Sequence, residues 1–272
     1  MKSRYGESFL RNIGIFTQVE QDLLRRTTIA VAGVGGVGGL LVERLVRLGI
    51  GNIRLTDPGT FEISNINRQY GCTRRSDQLQ KAEVVCQMVR EINPEASIIY
   101  DNRGITSYQD AEKLVTGADL VIDEMDYGAW KESIYLQRAA RKQGIYYCFA
   151  GAIGFGALLT NFDPQGMTLE EYNGLVADQD LTQSEMIMVG AERVVPVTPS
   201  YIGAAMSLET LGEILAGQKP VPTCSIGVGL ASILAADAAI NIILKRKEVV
   251  TAPRYIYVDL YDQQFLVGSI TP

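Results

Sequence analysis

The amino-acid sequence predicts an α/β fold in which a doubly wound, mostly parallel sheet carries helices on both faces. Short apolar runs typical of buried strands alternate with helical patterns through residues 28–162. A glycine-rich segment, GVGGVG, joins the first of these runs to the first helix, as in Rossmann-like nucleotide-binding domains. The chain has 272 residues, 47% of them apolar, which is enough for the core of one large domain or two small ones.

The first predicted elements surround the glycine-rich segment. Thr28–Ala32 (TIAVA) is a short apolar run, as expected of a buried parallel strand. A wide apolar face predicts a helix over Gly36–Leu48, and Gly49 ends it. The second strand is predicted over Asn52–Thr56 (NIRLT).

A long polar loop, residues 57–80, precedes the next predicted helix, Lys81–Ile92. This helix stops at Asn93-Pro94 because a residue before proline is pushed out of the helical conformation. Strand and helix patterns then alternate as far as residue 162. The predicted strands are Ser97–Tyr100, Leu120–Asp123, Ile145–Phe149 and Leu158–Phe162, and the predicted helices are Ser107–Thr116 and Trp130–Gln143.

The pattern changes after residue 162. Residues 163–200 lack clear periodicity and carry many acids, so we expect a crossover loop. C-terminal helices and a small hairpin through Tyr261-Asp262 are predicted to follow, at Tyr201–Ala216, Ile226–Lys245, Tyr255–Leu260 and Gln264–Gly268. The expected organisation is an N-terminal helical arm (1–27), a nucleotide-binding domain (28–162), the crossover (163–200) and a C-terminal part that completes the same domain (201–272).

Composition excludes several classes of mechanism. The chain has no histidine, and therefore no imidazole base, no Ser-His-Asp triad and no histidine metal ligand. Its net charge of −6 argues against a general nucleic-acid surface. Four cysteines without a C-x-x-C pair predict neither zinc nor a disulfide framework. Because the N-terminus also lacks the apolar core of a secretion signal, we expect a cytoplasmic protein.

One segment is apolar enough to require a membrane test. Cys224–Leu244 is about as long as a membrane-spanning helix. Asp237 and Asn241 interrupt it, and its glycines and alanines suit close helix packing. We therefore expect a buried core helix and no membrane partner.

The glycine-rich segment is a candidate phosphate site. Gly33, Gly35, Gly36 and Gly38 lie between the first strand and the first helix, where a backbone without side chains can approach a phosphate. Asp57 follows the second strand, where an acid can hold ribose hydroxyls. These residues alone fit NAD, FAD or ATP equally well.

The next loop favours ATP. It carries the cluster SNINRQ, with Asn65, Asn67 and Arg68, and Lys81 begins the helix that follows. Arginine offers a planar fork of donors to phosphate oxygens, lysine a compact charge and asparagine an amide donor. Two cations near a glycine loop suit a triphosphate whose β and γ groups leave as pyrophosphate. A dehydrogenase has no use for this cluster.

A third set of polar residues follows the fourth predicted strand, in the run VIDEMD. The crevice of an open α/β sheet lies at this end of its strands. Mg²⁺ is usually held by one or two carboxylates together with substrate phosphates. Asp126 is our candidate for the magnesium ligand.

Taken in order, these segments resemble the ThiF/MoeB/HesA group and the adenylation domain of ubiquitin-activating enzymes. The resemblance rests on GVGGVGG, TDPGTFEISNINRQ, QKAEVVCQMVREINP, VIDEMD and CFAGAIGFGA, over roughly residues 8–162. It implies that Asp57 binds ribose and that Asp126 holds Mg²⁺. It further implies that Asn65, Arg68 and Lys81 hold phosphates.

The resemblance also implies a dimer. Members of this family use an N-terminal arginine that reaches the ATP of the partner subunit, and Arg11 occupies that place here. The sequence departs from the family pattern at Gly59, where a second acid is usual, and at Tyr127, where asparagine commonly follows the magnesium acid. Zinc-binding C-x-x-C pairs found in many relatives are absent.

The implied reaction is ATP- and Mg²⁺-dependent adenylation of a carboxylate, with release of pyrophosphate. The substrate would be the C-terminus of a small ubiquitin-like or sulfur-carrier protein, or of a peptide. Three alternatives remain open: a tRNA threonylcarbamoyladenosine dehydratase-like activation of a carboxylate on RNA, an NAD- or FAD-dependent oxidoreductase, and a non-catalytic partner in a heterodimer. No cysteine lies in residues 149–223, where relatives place a thioester nucleophile, so we expect adenylation without an enzyme thioester. Cys224, near the start of a predicted helix, is the alternative candidate for a covalent step.

Overall fold

The computed structural model describes residues 4–182, 187, 189–215, 218–219 and 221–270. Eight strands form one sheet, in the order β3-β2-β1-β4-β5-β6-β7-β8. Their bounds are Thr28–Ala32 (β1), Asn52–Thr56 (β2), Ser97–Asp101 (β3), Leu120–Asp123 (β4), Tyr146–Ile153 (β5), Gly156–Phe162 (β6), Arg254–Asp259 (β7) and Gln264–Ser269 (β8). The first five strands in this order, β3, β2, β1, β4 and β5, are parallel to one another. The pairs β5–β6, β6–β7 and β7–β8 are antiparallel.

The described helices are Arg4–Ser8 (α1), Gln18–Arg26 (α2), Gly36–Leu48 (α3), Lys81–Ile92 (α4), Tyr108–Val115 (α5), Trp130–Lys142 (α6), Leu169–Tyr172 (α7), Ala191–Val194 (α8), Ile202–Ala205 (α9), Leu208–Leu215 (α10) and Ser225–Leu244 (α11). Short 3₁₀ turns occupy Leu10–Asn12 and Ile63–Asn65.

Helices cover both faces of the sheet and bury two apolar cores. One core lies under α3, α4 and α11 and includes Val31 and Leu45. The other lies under α5, α6 and α7 and includes Val121 and Leu136. Alternate residues of a strand point to opposite faces, so the two cores share each central strand. The predicted doubly wound α/β fold is confirmed, with the C-terminal hairpin joined to the same sheet.

The structure corrects the prediction for residues 201–216. Ile202–Ala205 and Leu208–Leu215 are separate helices, because Met206 is extended and ends the first. Ser207 then caps the second through a bond from the Thr210 N–H to Ser207 Oγ (3.1 Å). Ala216, the predicted end of this helix, lies outside the described residues. The predicted crossover loop is also not wholly irregular, since α7 and α8 lie within it.

Helix α11 is the apolar segment that raised the membrane question. By length and composition it could cross a bilayer, with a mean hydropathy of 1.9. In the fold it packs against α3 and against β5 and β6, and Ala231, Ala235 and Ala239 on its inner side are buried. We interpret it as the core helix that closes one face of the sheet.

Candidate nucleotide-binding site

The candidate site lies where the strand order reverses. The chain runs outward from β1 to β2 and β3 on one side, and from β4 to β5 on the other. The loops after β1, β2 and β4 therefore meet at the carboxyl edge of the parallel strands, beside a crevice between β1 and β4. The glycine-rich segment, Asp57 and Asp126 follow these three strands.

Two of the glycines are required by close backbone contacts. Gly33 has a φ of +85°, and a Cβ there would lie 2.2 Å from the carbonyl oxygen of Glu124. A Cβ on Gly38 would lie 2.0 Å from the carbonyl oxygen of Gly33. The loop thus folds tightly onto β4 and onto itself, which fixes the start of α3.

Gly35 leaves open space at the N-terminus of α3, whereas Gly36 packs against Val228 of α11. A Cβ on Gly35 would meet only the side-chain amide of Gln69, at 3.7 Å. On Gly36 it would meet Val228 and the Cγ of Arg68, at 3.0 and 3.7 Å. The first N–H groups of a helix lack partners within the helix and carry partial positive charge. This end of α3 is therefore suited to bind an anion.

Asp57 is held against the glycine-rich segment. One carboxylate oxygen accepts the N–H of Val34 (2.8 Å) and the other that of Gly59 (2.7 Å). The residue is buried, and its own N–H donates to the carbonyl of Asp101 at the end of β3. Each carboxylate oxygen keeps further acceptor capacity, which a ribose hydroxyl can use.

Arg68 lies beside the glycine-rich segment, and Lys81 lies beside the loop that carries Asp57. Arg68 packs beside Gly36, and its guanidinium donates to Asn67 Oδ1 (2.8 Å). A Cβ placed on Gly59 would lie 3.3 Å from the Nζ of Lys81 and 3.0 Å from the Oδ1 of Asp57. Lys81 and Asp57 therefore both face Gly59. Within the described residues neither cation forms an ion pair with a carboxylate. Both charges are therefore free for an anionic ligand.

The two asparagines of this loop are bonded within the protein. Asn65 is buried, and its Oδ1 accepts the N–H of Glu62 (3.1 Å), which closes the 3₁₀ turn Ile63–Asn65. Asn67 is exposed and donates from Nδ2 to the carbonyl of Thr223 (2.9 Å), just before α11. Their observed bonds shape the loop that carries Arg68, and their contact with phosphate stays a prediction.

Gln69 is the last residue of the SNINRQ cluster, and the sequence alone did not indicate a role for it. The side chain is 9% exposed, and its Oε1 finds no hydrogen-bond partner among the described residues. Its Nε2 faces Gly35 across the open end of α3. The glutamine therefore lies between the glycine-rich segment and the SNINRQ loop. Its place in the SNINRQ motif was the feature of the sequence that could have indicated this position.

The acids at the end of β4 have different surroundings. Asp123 is 1% exposed and accepts from Tyr147 Oη (2.5 Å) and the Met125 N–H (2.9 Å). Burial raises the pKa of the Asp123 carboxyl, and bonds from Tyr147, Ser133 and Met125 oppose the rise. Burial and the charge of Asp123 raise the pKa of Glu124 well above its ordinary value.

Asp126 is the exposed acid of this set. It lies in the loop between β4 and α6, where its carbonyl accepts the N–H of Ala129. No hydrogen bond or ion pair of its carboxylate is found within the described ranges. The described residues also hold no cluster of three cysteine, aspartate or glutamate side chains that could bind a metal without help. A metal at Asp126 would need ligands from a bound nucleotide, which is the usual situation for Mg²⁺.

The structure does not bring Arg11 to the other site residues of its own chain. Arg11 is exposed on the 3₁₀ turn Leu10–Asn12. The neighbouring Asn12 donates to the carbonyl of Leu48, the last residue of α3 (3.4 Å). Because α3 has 13 residues, this end lies about 20 Å from the glycine-rich segment.

Within the described residues, no hydrogen bond joins any of the four cysteines to the glycine-rich segment. Cys86 and Cys148 are buried, and burial raises the pKa of both thiols. Cys72 donates to the carbonyl of Glu62 (3.3 Å), and burial raises its pKa too. Cys224 precedes α11 and donates to the carbonyl of Gly154 (3.2 Å). Its covalent role stays a prediction.

A comparison with protein-family models matches residues 9–271 to the ThiF family. The chain belongs to the ThiF family. This match extends the resemblance seen in the sequence over nearly the whole chain and confirms it. The motif residues Asp57, Arg68, Lys81 and Asp126 therefore lie within a ThiF domain.

Curated relatives match the chain over shorter stretches. The tRNA threonylcarbamoyladenosine dehydratase of Escherichia coli (strain K12) is 39% identical over 98 residues, 36% of this chain and 37% of that protein. Ubiquitin-like modifier-activating enzyme 5 of Culex quinquefasciatus is 35% identical over 106 residues, 39% of this chain and 26% of that protein. The chain thus aligns with less than half the length of each of these relatives.

Solved structures share the fold along the whole chain. The crystal structure of PaaA superposes with a TM-score of 0.73 and 16% identity, covering 99% of this chain and 75% of PaaA. That of E. coli MccB with ATP gives a TM-score of 0.72 and 19% identity, covering 99% of this chain and 71% of MccB. At these identities the likeness establishes the fold.

Proposed function

We propose that this chain uses ATP and Mg²⁺ to adenylate a carboxylate, with release of pyrophosphate. The observation that carries the proposal is the pair Arg68 and Lys81, two cations without carboxylate partners in the described residues beside Asp57 and the open end of α3. Such a pair neutralises the β- and γ-phosphates of a triphosphate. Membership of the ThiF family supports the same reaction class.

The proposed chemistry asks for positioning and charge rather than for a base. A carboxylate is ionised at neutral pH, so its oxygen attacks the α-phosphorus directly, and no histidine is needed. As the new oxygen–phosphorus bond forms, the bond to the bridging oxygen of the β-phosphate breaks and pyrophosphate leaves. Asp57 would hold the ribose, while Arg68 and Lys81 neutralise charge on the leaving group.

Asp126 fits the proposed magnesium site because its side chain is exposed and its carboxyl group has no partner among the described residues. It would hold Mg²⁺ together with phosphate oxygens, in the manner usual for this ion. The metal would supply further neutralisation of phosphate charge. Asp123 and Glu124 fit this role less well, since burial favours their neutral forms.

For the substrate we propose the C-terminus of a small carrier protein or of a peptide. The E. coli MccB structures include one with an ATP analogue and the peptide MccA. An RNA-borne carboxylate is the second candidate, because three of the curated relatives are tRNA threonylcarbamoyladenosine dehydratases. The net charge of −6 places the carrier or peptide first.

Two other readings leave site residues without a use. A nicotinamide or flavin oxidoreductase accounts for the glycine-rich segment and Asp57 but not for Arg68, Lys81 and Asp126. A non-catalytic heterodimer partner would have no need to keep these three charged groups.

We also propose that the protein is a cytoplasmic homodimer in which each site receives Arg11 from the partner chain.

Pyrophosphate exchange into ATP tests the function. Purified protein is incubated with labelled pyrophosphate, ATP and Mg²⁺, and with one candidate substrate at a time. The candidates are a carrier protein ending in Gly-Gly, a short peptide and tRNA bearing threonylcarbamoyladenosine. Exchange that depends on one of them and is lost in Arg68→Ala supports the proposal. Nicotinamide- or flavin-dependent redox turnover by the same preparation, without exchange, would contradict it.

A further inference from the structure

We infer that a cleft between α5, α6 and residues 178–182 binds a zwitterionic amino acid with an aromatic side chain. The cleft has a volume of about 540 Å³, which is in the range of small-molecule sites. Its residues Tyr135 and Leu181 belong to the core under α5, α6 and α7, on the face of the sheet opposite to α3 and α11. The proposed adenylation makes no use of this cleft.

The cleft is separated from the candidate nucleotide site along α6. This helix begins at Trp130, shortly after Asp126, and connects β4 to the parallel strand β5, so it runs away from the carboxyl edge of the sheet. Arg138, which lines the cleft, lies eight residues after Trp130. At 1.5 Å per residue this is about 12 Å along the helix. The cleft is therefore a second site.

A buried ion pair holds one wall of the cleft in place. Glu170 of α7 is 2% exposed, and its Oε1 accepts from Arg138 (2.6 Å) and from the Asp178 N–H (2.9 Å). Arg138 also donates to the carbonyl of Gln179 (2.7 Å). Asp178 has a left-handed φ of +59°, a conformation that costs energy for a residue other than glycine and is found often at functional sites. The ion pair thus fixes Asp178 against α6.

The side of the cleft formed by α6 presents hydrogen-bond donors. Tyr135 is 7% exposed, and its hydroxyl group has no hydrogen-bond partner within the described ranges. The buried Nε of Arg138 also lacks a partner there. Arg141 donates to the carbonyl of Gly166 (2.7 Å) but forms no ion pair with a described residue. Buried donors without partners call for an acceptor, and a carboxylate matches the planar fork of arginine.

The segment after α7 presents acceptors instead. Asp178 and Asp180 both line the cleft, and neither forms an ion pair in the part of the chain that the structure describes. Asp180 Oδ1 accepts the N–H and the hydroxyl of Thr182 (2.9 and 2.8 Å), which fixes the position of this carboxyl group. Carboxyl oxygens are natural partners of an ammonium group. A ligand that satisfies both sides of the cleft therefore carries both a carboxylate and an ammonium group.

Two tyrosines give the cleft an apolar surface. The rings of Tyr108 and Tyr135 pack edge to face, with their centroids 6.4 Å apart. The Nζ of Lys142 lies 5.9 Å from the centroid of Tyr108 and pairs with Glu112 (2.8 Å). Because Lys142 already has a carboxylate partner, Arg141 is the cation left for the carboxylate of the ligand. Aromatic rings pack well against another ring, which favours an aromatic side chain on the ligand.

Calorimetry with L-phenylalanine, 3-phenylpropanoate and 2-phenylethylamine tests the inference. The three molecules share a phenyl group, but only phenylalanine carries both the carboxylate and the ammonium group. We expect phenylalanine to bind about tenfold or more tightly than either analogue, because each analogue leaves one side of the cleft without a charged partner. Saturating ATP with Mg²⁺ should leave the affinity for phenylalanine unchanged.

Two variants separate the two ends of the ligand. Arg141→Ala should weaken phenylalanine binding about fivefold or more and leave phenylethylamine binding unchanged. The double variant Asp178→Asn, Asp180→Asn should weaken phenylalanine binding by a similar factor without weakening phenylpropanoate binding. Tyr135→Phe removes only a hydroxyl group, so it should fold normally and still bind phenylalanine about threefold or more weakly.

Arg47→Ala is the matched control. Arg47 is an exposed arginine of α3, on the other face of the sheet, and its removal should leave all three affinities unchanged. Absence of phenylalanine binding at millimolar concentrations, equal affinities for the three molecules, or undiminished phenylalanine binding in Arg141→Ala would overturn the inference. Displacement of phenylalanine by ATP would place it in the nucleotide site and would overturn the inference as well. Phenylalanine binding by a protein that binds no ATP would contradict the proposed function alone.

Discussion

At the scale of single residues, three acids near the end of β4 look alike in the sequence but differ in burial in the fold. Asp123 is enclosed and bonded to Tyr147, Glu124 packs against the glycine-rich segment, and Asp126 is exposed. The sequence could show that acids follow a strand, because that needs only spacing. The raised pKa values of Asp123 and Glu124 depend on burial and on hydrogen bonds from β5 and α6, and these elements come from distant parts of the chain.

Asp126→Asn tests the proposed magnesium ligand. The change removes a charge from an exposed loop, so we expect the melting temperature to stay within about 2 °C. Pyrophosphate exchange should fall by about 100-fold or more, the size of loss typical for a group that stabilises transition-state charge. Asp123→Asn is the contrasting variant, since it disturbs a buried bond and should lower stability. Full exchange activity in Asp126→Asn would remove this residue from the metal site.

Glu124→Gln tests how the raised pKa of the Glu124 carboxyl affects the stability of the folded protein. Because burial and Asp123 raise its pKa in the folded state, the folded protein holds a proton that the unfolded chain releases above its ordinary pKa near 4.5. The proton on Glu124 contributes its full stabilisation of the folded protein at a pH below the ordinary pKa. This contribution is lost as the pH rises through the raised pKa that Glu124 has in the folded protein. The glutamine cannot ionise, so the variant should melt a few degrees higher at pH 7 and no higher at pH 4. An equal melting temperature at both pH values would contradict this assignment.

At the scale of elements, the strands and helices with strong apolar periodicity were predictable. The strand β1 has the predicted bounds, as do α3, β2 and α4. The strand β5 was predicted to end at Phe149 but continues to Ile153, where it pairs with β6. This stretch, AGAI, is rich in small residues with low strand propensity, so only its pairing partner reveals it. The break between α9 and α10 was missed because apolar spacing does not register a capping serine.

The turn between β1 and α3 gives an element-scale prediction, because its glycines serve two purposes. Gly38→Ala places a methyl group 2.0 Å from the carbonyl oxygen of Gly33, so we expect strong destabilisation in thermal melts. An added Cβ on Gly35 would meet only the Gln69 amide, at 3.7 Å, so Gly35→Ala should lower the melting temperature less than Gly38→Ala does. Its methyl would instead occupy the phosphate space and weaken ATP binding by about tenfold or more. Normal ATP affinity in a folded Gly35→Ala protein would argue against phosphate at this helix end.

At the scale of the whole molecule, the arm before β1 carries exposed apolar side chains that other residues of the same chain do not cover. Its side chains Leu10, Ile15 and Val19 are 63%, 72% and 76% exposed. Arg11 lies among them, at the end of α3 opposite to the glycine-rich segment. The sequence gave the position of this arginine only through the family resemblance. Whether a second chain covers the arm depends on assembly, which no pattern within one chain specifies.

Mixed dimers test the proposed sharing of sites. Arg11→Ala and Arg68→Ala chains should each be inactive alone, because every site then lacks one phosphate-binding cation. After the two chains are mixed and exchange partners, each heterodimer should regain one working site, giving about a quarter of the unaltered exchange rate for a random mixture. Two Arg11→Ala preparations mixed together should stay inactive. An absence of recovery, with heterodimers shown by mass spectrometry, would place Arg11 outside the site.

We propose that the site between β1 and β4 binds a triphosphate in preference to a dinucleotide. Calorimetric titration of one preparation with ATP and Mg²⁺, and with NAD under the same conditions, tests it most directly. Arg68 lies beside the start of α3 and Lys81 beside the loop of Asp57, and neither has a partner carboxylate among the described residues. We therefore predict that ATP with Mg²⁺ binds at least tenfold more tightly than NAD. NAD binding equal to or tighter than that of ATP would contradict the account.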